Sequence, residues 1–331
     1  MMELYPWQEE AFQRFVQLEQ SQRLPHALLL SGPPGSGKTE FAEYLTHYLM
    51  CQDSANRPCF TCQHCSLVQT HAHPDYRRVG IEVDQKTKKE NKEISITQIR
   101  ELKSFAGLSQ SGASYKVILI TPADALNQSS SNSLLKLLEE PQGNTVLLLV
   151  THQVERLVAT IRSRCQKFEL PLPDQEASIE WLANTHQLEN AASWLKMSQG
   201  GPIAALAMAE SYADSGLDYE QIISDCLGLM FNRGSRVIET AKSWKNYPLN
   251  LLLEWQLGLT RDLIRQINGV AIGYYENQDR YDVLQKVSDR INLHKVTVLY
   301  EYLIKLKMRA DVPLRPETFR EELAHQWKHG Q

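Results

Sequence analysis

The stretch Gly32-Pro33-Pro34-Gly35-Ser36-Gly37-Lys38-Thr39 has the spacing G-x-x-x-x-G-K-[ST]. Glycines at such positions let consecutive backbone N–H groups turn inward around phosphate oxygens. A helix that starts at the lysine adds its positive N-terminal end. Lys38 would reach the β- and γ-phosphates of a nucleotide, and the Thr39 hydroxyl would ligate Mg²⁺. A glycine-rich turn without a ligand can look the same. What separates the two is context: an apolar strand before the loop and a helix after it. Ala27-Leu28-Leu29-Leu30 supplies the first and Glu40 to Met50 the second.

A second group follows directly. Cys51, Cys59, Cys62 and Cys65 lie within fifteen positions, and two of the gaps are x-x. Four thiolates form a closed tetrahedral Zn²⁺ site with no place for water, so the metal would be structural. The alternative is four buried free thiols, since cysteine is common in cores. The clustering favours zinc. His64, His71 and His73 are near, but four cysteines already complete a site, and the histidines are expected on the surface.

The third feature is an absence. A phosphate-loop hydrolase needs an acid at the end of a second apolar strand, to hold Mg²⁺ and prepare water. The strand Val117 to Ile120 runs into Thr121-Pro122-Ala123-Asp124, and the two acidic positions hold Thr121 and Pro122. Asp124 lies too far along to substitute simply. The strand Val146 to Val150 leads into Thr151-His152, again without an acid. The loop therefore suits nucleotide binding, and hydrolysis by this site is not expected. Arg164, in Ile161-Arg162-Ser163-Arg164-Cys165, follows the last core-type strand. There it is either an ordinary surface arginine or a finger reaching a neighbour's γ-phosphate, a role worth 10³–10⁵ in rate in related chemistry.

The elements that must position these residues are readable. Continuous apolar runs at 27–30, 116–120 and 146–150 suit a parallel sheet covered on both faces. Residues 3–24 hold Phe12, Phe15 and Val16 at near-helical spacing, as a packing helix or a cover for a base. Ser95 and Gln98 form a capping box for a helix containing Ile99, Leu102 and Phe105. Leu126 to Glu140 reads as a helix stopped by Pro141. Asp84 to Glu93, with Lys86, Lys88, Lys89 and Lys92, reads as a solvated loop. Pro171, Pro173 and Asp174 mark a break. Beyond it the chain reads as helical, including a small unit over 176–210 and long amphipathic segments at Leu251–Ile267 and Tyr281–Met308.

The 331 residues suggest two or three domains. With 42% hydrophobic and 22% charged residues the composition is that of a globular protein. No apolar run approaches the ~20 residues of a membrane span. The first residues, Met-Met-Glu-Leu-Tyr-Pro-Trp, have neither the basic region nor the apolar core of a secretory signal. The cytoplasm is the expected compartment. A net charge of −4 excludes a free-standing basic nucleic-acid binder.

Together these pieces resemble the delta-prime subunits of the bacterial DNA polymerase III clamp loader, within the AAA+ group. The resemblance rests on Tyr5-Pro6-Trp7, the phosphate loop, the four cysteines and His73-Pro74-Asp75-Tyr76. Asn132 to Pro141 (Asn-Ser-Leu-Leu-Lys-Leu-Leu-Glu-Glu-Pro) and Ser163-Arg164-Cys165 complete it. It covers residues 1–170 and is weaker beyond, where Pro313 to Trp327 resembles the last collar helix. It implies a RecA-like α/β core with a parallel sheet and the zinc module over 1–170. A helical lid would occupy 171–212 and an all-α collar 213–331. It further implies a subunit of the replicative polymerase holoenzyme, a nucleotidyltransferase, acting as a rigid stator. Its partners would be gamma/tau-like ATPases and a delta-like subunit in a pentameric ring, with the sliding clamp and primed DNA reached through the complex. Arg164 would act in trans on an adjacent ATPase. Motor chains carry Asp-Glu where this chain has Thr121-Pro122, and a lid arginine near the place of Ile203. Both departures fit delta-prime. Whether ATP, ADP or nothing occupies the loop stays open. The rival readings are an active motor subunit and a zinc-containing phosphate-loop nucleotide kinase.

Overall fold

Leu28 and Leu30 point to one side of a strand and Ala27 and Leu29 to the other, because strand side chains alternate. All four are buried, so apolar layers must cover both sides. In the computed structural model they do. The structure describes residues 3–83, 91–188, 191–215, 219–231, 236–275, 281–288, 290–308 and 315–329. Lys86, Lys88 and Lys89 of the basic stretch, and Pro313, lie outside the described residues. The chain divides into two compact units, Met1–Asp174 and Gln175–Gln331.

The first unit runs α1 (Glu9–Gln20), β1 (Ala27–Ser31), α2 (Lys38–Met50), α3 (Gln63–Gln69), β2 (Tyr76–Val79), α4 (Ile96–Ala106), β3 (Lys116–Ile120), α5 (Gln128–Glu139), β4 (Thr145–Thr151), α6 (Ala159–Arg162) and β5 (Gln166–Glu169). The sheet order is β2-β3-β4-β1-β5, and every pairing is parallel. One face (Leu28, Leu30, Val117, Leu119, Leu148, Val150) packs on Phe12, Phe15, Phe41 and Leu45 of α1 and α2. The other (Leu29, Ile118, Ile120, Leu147, Leu149) packs on Ile99, Leu102, Leu134, Leu138 and Ile161 of α4, α5 and α6. The three apolar runs are the three inner strands. The two edge strands, Tyr-Arg-Arg-Val and Gln-Lys-Phe-Glu, are short and charged, as befits sheet edges.

One inner-strand residue is charged. Lys116 is 2% exposed, and its ammonium donates to the carbonyls of Phe105 and Leu108. It thereby places a cation at and just beyond the C-terminal end of α4, where a positive charge is favoured. Ser95 and Gln98 form the capping box at the other end of α4.

The second unit is helical: α7 (Gln175–His186), α8 (Ala191–Met197), α9 (Pro202–Ser215), α10 (Tyr219–Phe231), α11 (Val237–Ser243), α12 (Leu249–Ile267), α13 (Tyr281–Ser288), α14 (Leu293–Met308) and α15 (Pro316–His329). Leu182, Ala191, Leu195 and Ala205 form a small cluster under α7 to α9. A larger core gathers Trp244, Trp255, Leu259, Leu263, Leu299, Leu303, Leu323 and Trp327 from the later helices. Residues 281–308 are not one helix. The break falls before Asn292, whose side chain accepts from the His294 N–H at 2.8 Å and starts α14.

Candidate nucleotide site and metal centre

The phosphate loop joins β1 to α2, in the strand–loop–helix setting its chemistry requires. Gly35 and Gly37 have φ of +75° and +79°, which L side chains rarely adopt. At Gly37 there is also no room. A Cβ would lie 2.7 Å from the Tyr5 ring and 2.8 Å from Gln8 Nε2. The residues before α1 thus form the outer wall of the loop. Trp7 Nε1 donates to the Ser36 carbonyl at 3.0 Å, and Gln8 Nε2 donates to the Gly37 carbonyl at 2.8 Å. Tyr5 stacks on Trp7 with centroids 5.0 Å apart. It is this short 3-10 turn, Pro6–Gln8, that touches the loop.

Lys38 is 3% exposed. Its ammonium donates to the Pro33 carbonyl and to Ser36 Oγ, so the loop's own oxygens hold the charge a phosphate would attract. Burial lowers its pKa to about 8, against the carboxylates of Glu40 and Asp124, which pull it up. Thr39 Oγ1 and Thr121 Oγ1 are 3.3 Å apart and share a hydrogen bond. The missing acid is therefore replaced by a hydroxyl that pairs with the would-be Mg²⁺ ligand. Asp124 has a different task. Its Oδ1 accepts from Thr151 Oγ1 at 2.7 Å and from the His152 N–H at 3.3 Å, tying the end of β3 to the end of β4. His152 is held below the usual imidazole range by burial first and Lys38 second, with Asp124 opposing. The site keeps a cradle for phosphates, and Gly32 to Thr39 are the residues that could hold them.

The four cysteine sulfurs lie within 4.8 Å of one another. Zinc–sulfur bonds of ~2.3 Å in a tetrahedron separate the sulfurs by about 3.8 Å, so the cluster needs only a slight contraction to hold Zn²⁺. Backbone donors already point inward: Cys59 N–H at 3.4 Å from Cys51 Sγ, Cys62 N–H at 3.3 Å from Cys59 Sγ, and Cys65 N–H at 3.4 Å from Cys62 Sγ. Such donors favour thiolates. Backbone hydrogen bonding led by Thr61 lowers the Cys59 thiol to about 6. Burial pushes Cys51 and Cys65 up, a cost that a bound cation would offset. Arg57 binds the module to α1, with both guanidinium nitrogens 3.2 Å from the Glu19 carboxylate.

The histidines differ from expectation. His71 is exposed, but His64 and His73 are buried at 9% and 1%. His73 Nδ1 accepts from the Asp75 N–H at 2.9 Å, and His73 Nε2 lies 2.8 Å from His64 Nδ1. That order fixes the neutral tautomers: His73 Nε2–H donates to His64 Nδ1. Asp75 in turn accepts from the Ser111 N–H at 2.8 Å. His73-Pro74-Asp75-Tyr76 is thus the joint between the cysteine module and the sheet. Its neighbourhood of four cysteines masked that role in the sequence.

Arg164 sits in the turn between α6 and β5. Its side chain is 37% exposed, and Nη2 lies 2.7 Å from Glu139 Oε1 at the end of α5. Nη1 donates to the Thr160 carbonyl at 3.1 Å. The pairing with Glu139 spans 25 positions (164 − 139) and could not be read from spacing.

The sequence has relatives among known proteins. Residues 7–174 match the family model described as DNA polymerase III, delta subunit. The chain is 32% identical to DNA polymerase III subunit delta' of Pseudomonas aeruginosa, over 93% of this chain and 92% of that one. The chain belongs to the DNA polymerase III delta-prime family. The Escherichia coli subunit delta' is 34% identical over 62% of this chain and 61% of that one. A gamma subunit-related protein of Thermotoga maritima has the same fold, with a TM-score of 0.50, 16% identity and coverage of 95% and 98%. No described helix is long and apolar enough to cross a membrane.

Proposed function

We propose that this delta-prime chain is a clamp-loader subunit that helps place a sliding clamp on primed DNA, in the cytoplasm, without hydrolysing ATP itself. The observation that carries this reading is the Thr39–Thr121 hydroxyl pair, 3.3 Å apart, in a site with an intact phosphate loop. Nucleotide, as ATP or ADP with Mg²⁺, has residues to bind it. Thr121 stands where a carboxylate would hold Mg²⁺, and Pro122 where one would prepare water. The work of the chain is then structural and trans-acting. Arg164, exposed at a turn, reaches the γ-phosphate held by a neighbouring gamma/tau-like ATPase. The four cysteines hold a structural zinc. We assign residues 1–170 to the core, 171–212 to a lid and 213–331 to a collar. The collar joins this chain to the ATPases and a delta-like subunit in a pentameric ring.

The test is DNA- and clamp-stimulated ATP hydrolysis by the reconstituted complex. Arg164→Ala is expected to lower the rate ten-fold or more with assembly intact, within the range of such fingers. Lys38→Ala is expected to leave it near wild type. An unchanged rate for Arg164→Ala removes the finger; a collapse with Lys38→Ala makes this chain a motor.

A further inference from the structure

The Glu139–Arg164 pair has a geometry that a surface ion pair does not require. The guanidinium is held from two elements at once, by Glu139 at the end of α5 and by the Thr160 carbonyl within α6. Of the five N–H donors of an arginine, these two bonds use two. Three remain, one each on Nε, Nη1 and Nη2, in a side chain 37% exposed. Glu139 spends one oxygen on the pair and is itself 47% exposed. An exposed pair of this kind contributes little to stability. What it fixes is direction. A guanidinium recognises phosphate through parallel N–H groups, so its orientation matters more than its charge.

We propose that Glu139 is a positioning residue for Arg164: it holds the guanidinium so that donors left unused by the pair are presented to a phosphate on a neighbouring subunit. This rests on the proposed trans role of Arg164. The gain is in pre-organisation, because a long side chain already held in one rotamer loses less freedom when the phosphate arrives. The pair can stay in place when the phosphate binds, since Nη1 and Nη2 each keep a second N–H.

The experiment measures stimulated ATP hydrolysis by the reconstituted complex carrying wild type, Arg164→Ala, Glu139→Gln, Glu139→Asp, Glu140→Gln, or Glu139→Gln with Arg164→Ala. Glu139→Gln is expected to lower kcat about two- to five-fold, the scale of an exposed ion pair, with the KM for ATP, the melting temperature and assembly unchanged. Glu139→Asp is expected to recover part of the rate, and Glu140→Gln to match wild type. In the Arg164→Ala background, Glu139→Gln is expected to add nothing. If Arg164→Ala has no effect, the finger itself fails. If Arg164→Ala slows hydrolysis but Glu139→Gln matches wild type, only the positioning role falls. A faster rate for Glu139→Gln, or an equal loss in the Arg164→Ala background, also overturns it.

Discussion

At the scale of single residues, the phosphate loop is a place where charge is buried at a cost. Lys38 has a pKa of about 8 in the fold, against ~10.4 in an unfolded chain. Between these values the unfolded state binds more protons than the folded one, so stability from this group rises with pH. The wild-type chain without nucleotide should therefore gain stability relative to Lys38→Met as pH rises from about 8 to about 10. Thermal melts of both across that range test it; parallel curves would show that Lys38 is not strained by burial. Gly37 makes a second case. Alanine there would take a φ of +79° and press on Tyr5 and Gln8. Gly37→Ala should cost about 1–3 kcal/mol in denaturant unfolding, and Gly143→Ala, with open space around it, should cost less. The glycine, lysine and hydroxyl of the loop were legible because phosphate chemistry fixes their spacing. Thr121 as the partner of Thr39 and Glu139 as the partner of Arg164 were not, because each pair is made by the fold across distant parts of the chain.

At the scale of elements, legibility follows burial. The inner strands announce themselves because both faces are covered and their central positions are apolar. The edge strands β2 and β5 do not, since charge on an edge looks like loop. Lys116 is hidden for a different reason: a charge at the head of an apolar run gives no sign that it is buried under the end of α4. Lys116→Met should roughly keep its volume and take the ammonium from the carbonyls of Phe105 and Leu108, of which Phe105 keeps the Leu108 N–H, at about 1–3 kcal/mol. Circular dichroism under urea measures this, and a neutral result would mean that water replaces the ammonium. The cysteine module makes a sharper prediction. Purified chain should carry one zinc, and Cys62→Ser should lose it. His73→Ala should keep the zinc and still lower stability by about 1–3 kcal/mol, because it leaves His64 and the Asp75 N–H without their buried partner. If His73→Ala releases zinc instead, the histidine pair belongs to the metal site and not to the joint.

At the scale of the whole molecule, the two units have separate cores, which is why an α/β pattern and a helical pattern could be read apart on either side of Pro171 and Pro173. Each core is expected to hold its own fold. A fragment of residues 1–174 should fold, show cooperative unfolding and retain zinc, because the sheet, both helix layers and the four cysteines lie within it. It should fail to enter a ring with its partners if the collar assignment holds, and so should a chain lacking 217–331. A single side chain separates loss of surface from loss of fold. Trp327 is fully buried in the helical core, and its Nε1 donates to Gln256 Oε1 at 2.8 Å. Trp327→Ala removes that core volume and leaves Gln256 Oε1 bare, at about 3–5 kcal/mol. Among the described residues Gln256 Nε2 already has no partner, so the polar cost falls where it cannot be shared. The full-length variant should lose its place in the ring while the fragment-like properties, zinc content and folding of residues 1–174, persist. A variant that assembles normally despite that loss would place the subunit contacts outside the helical core, and the collar reading would give way.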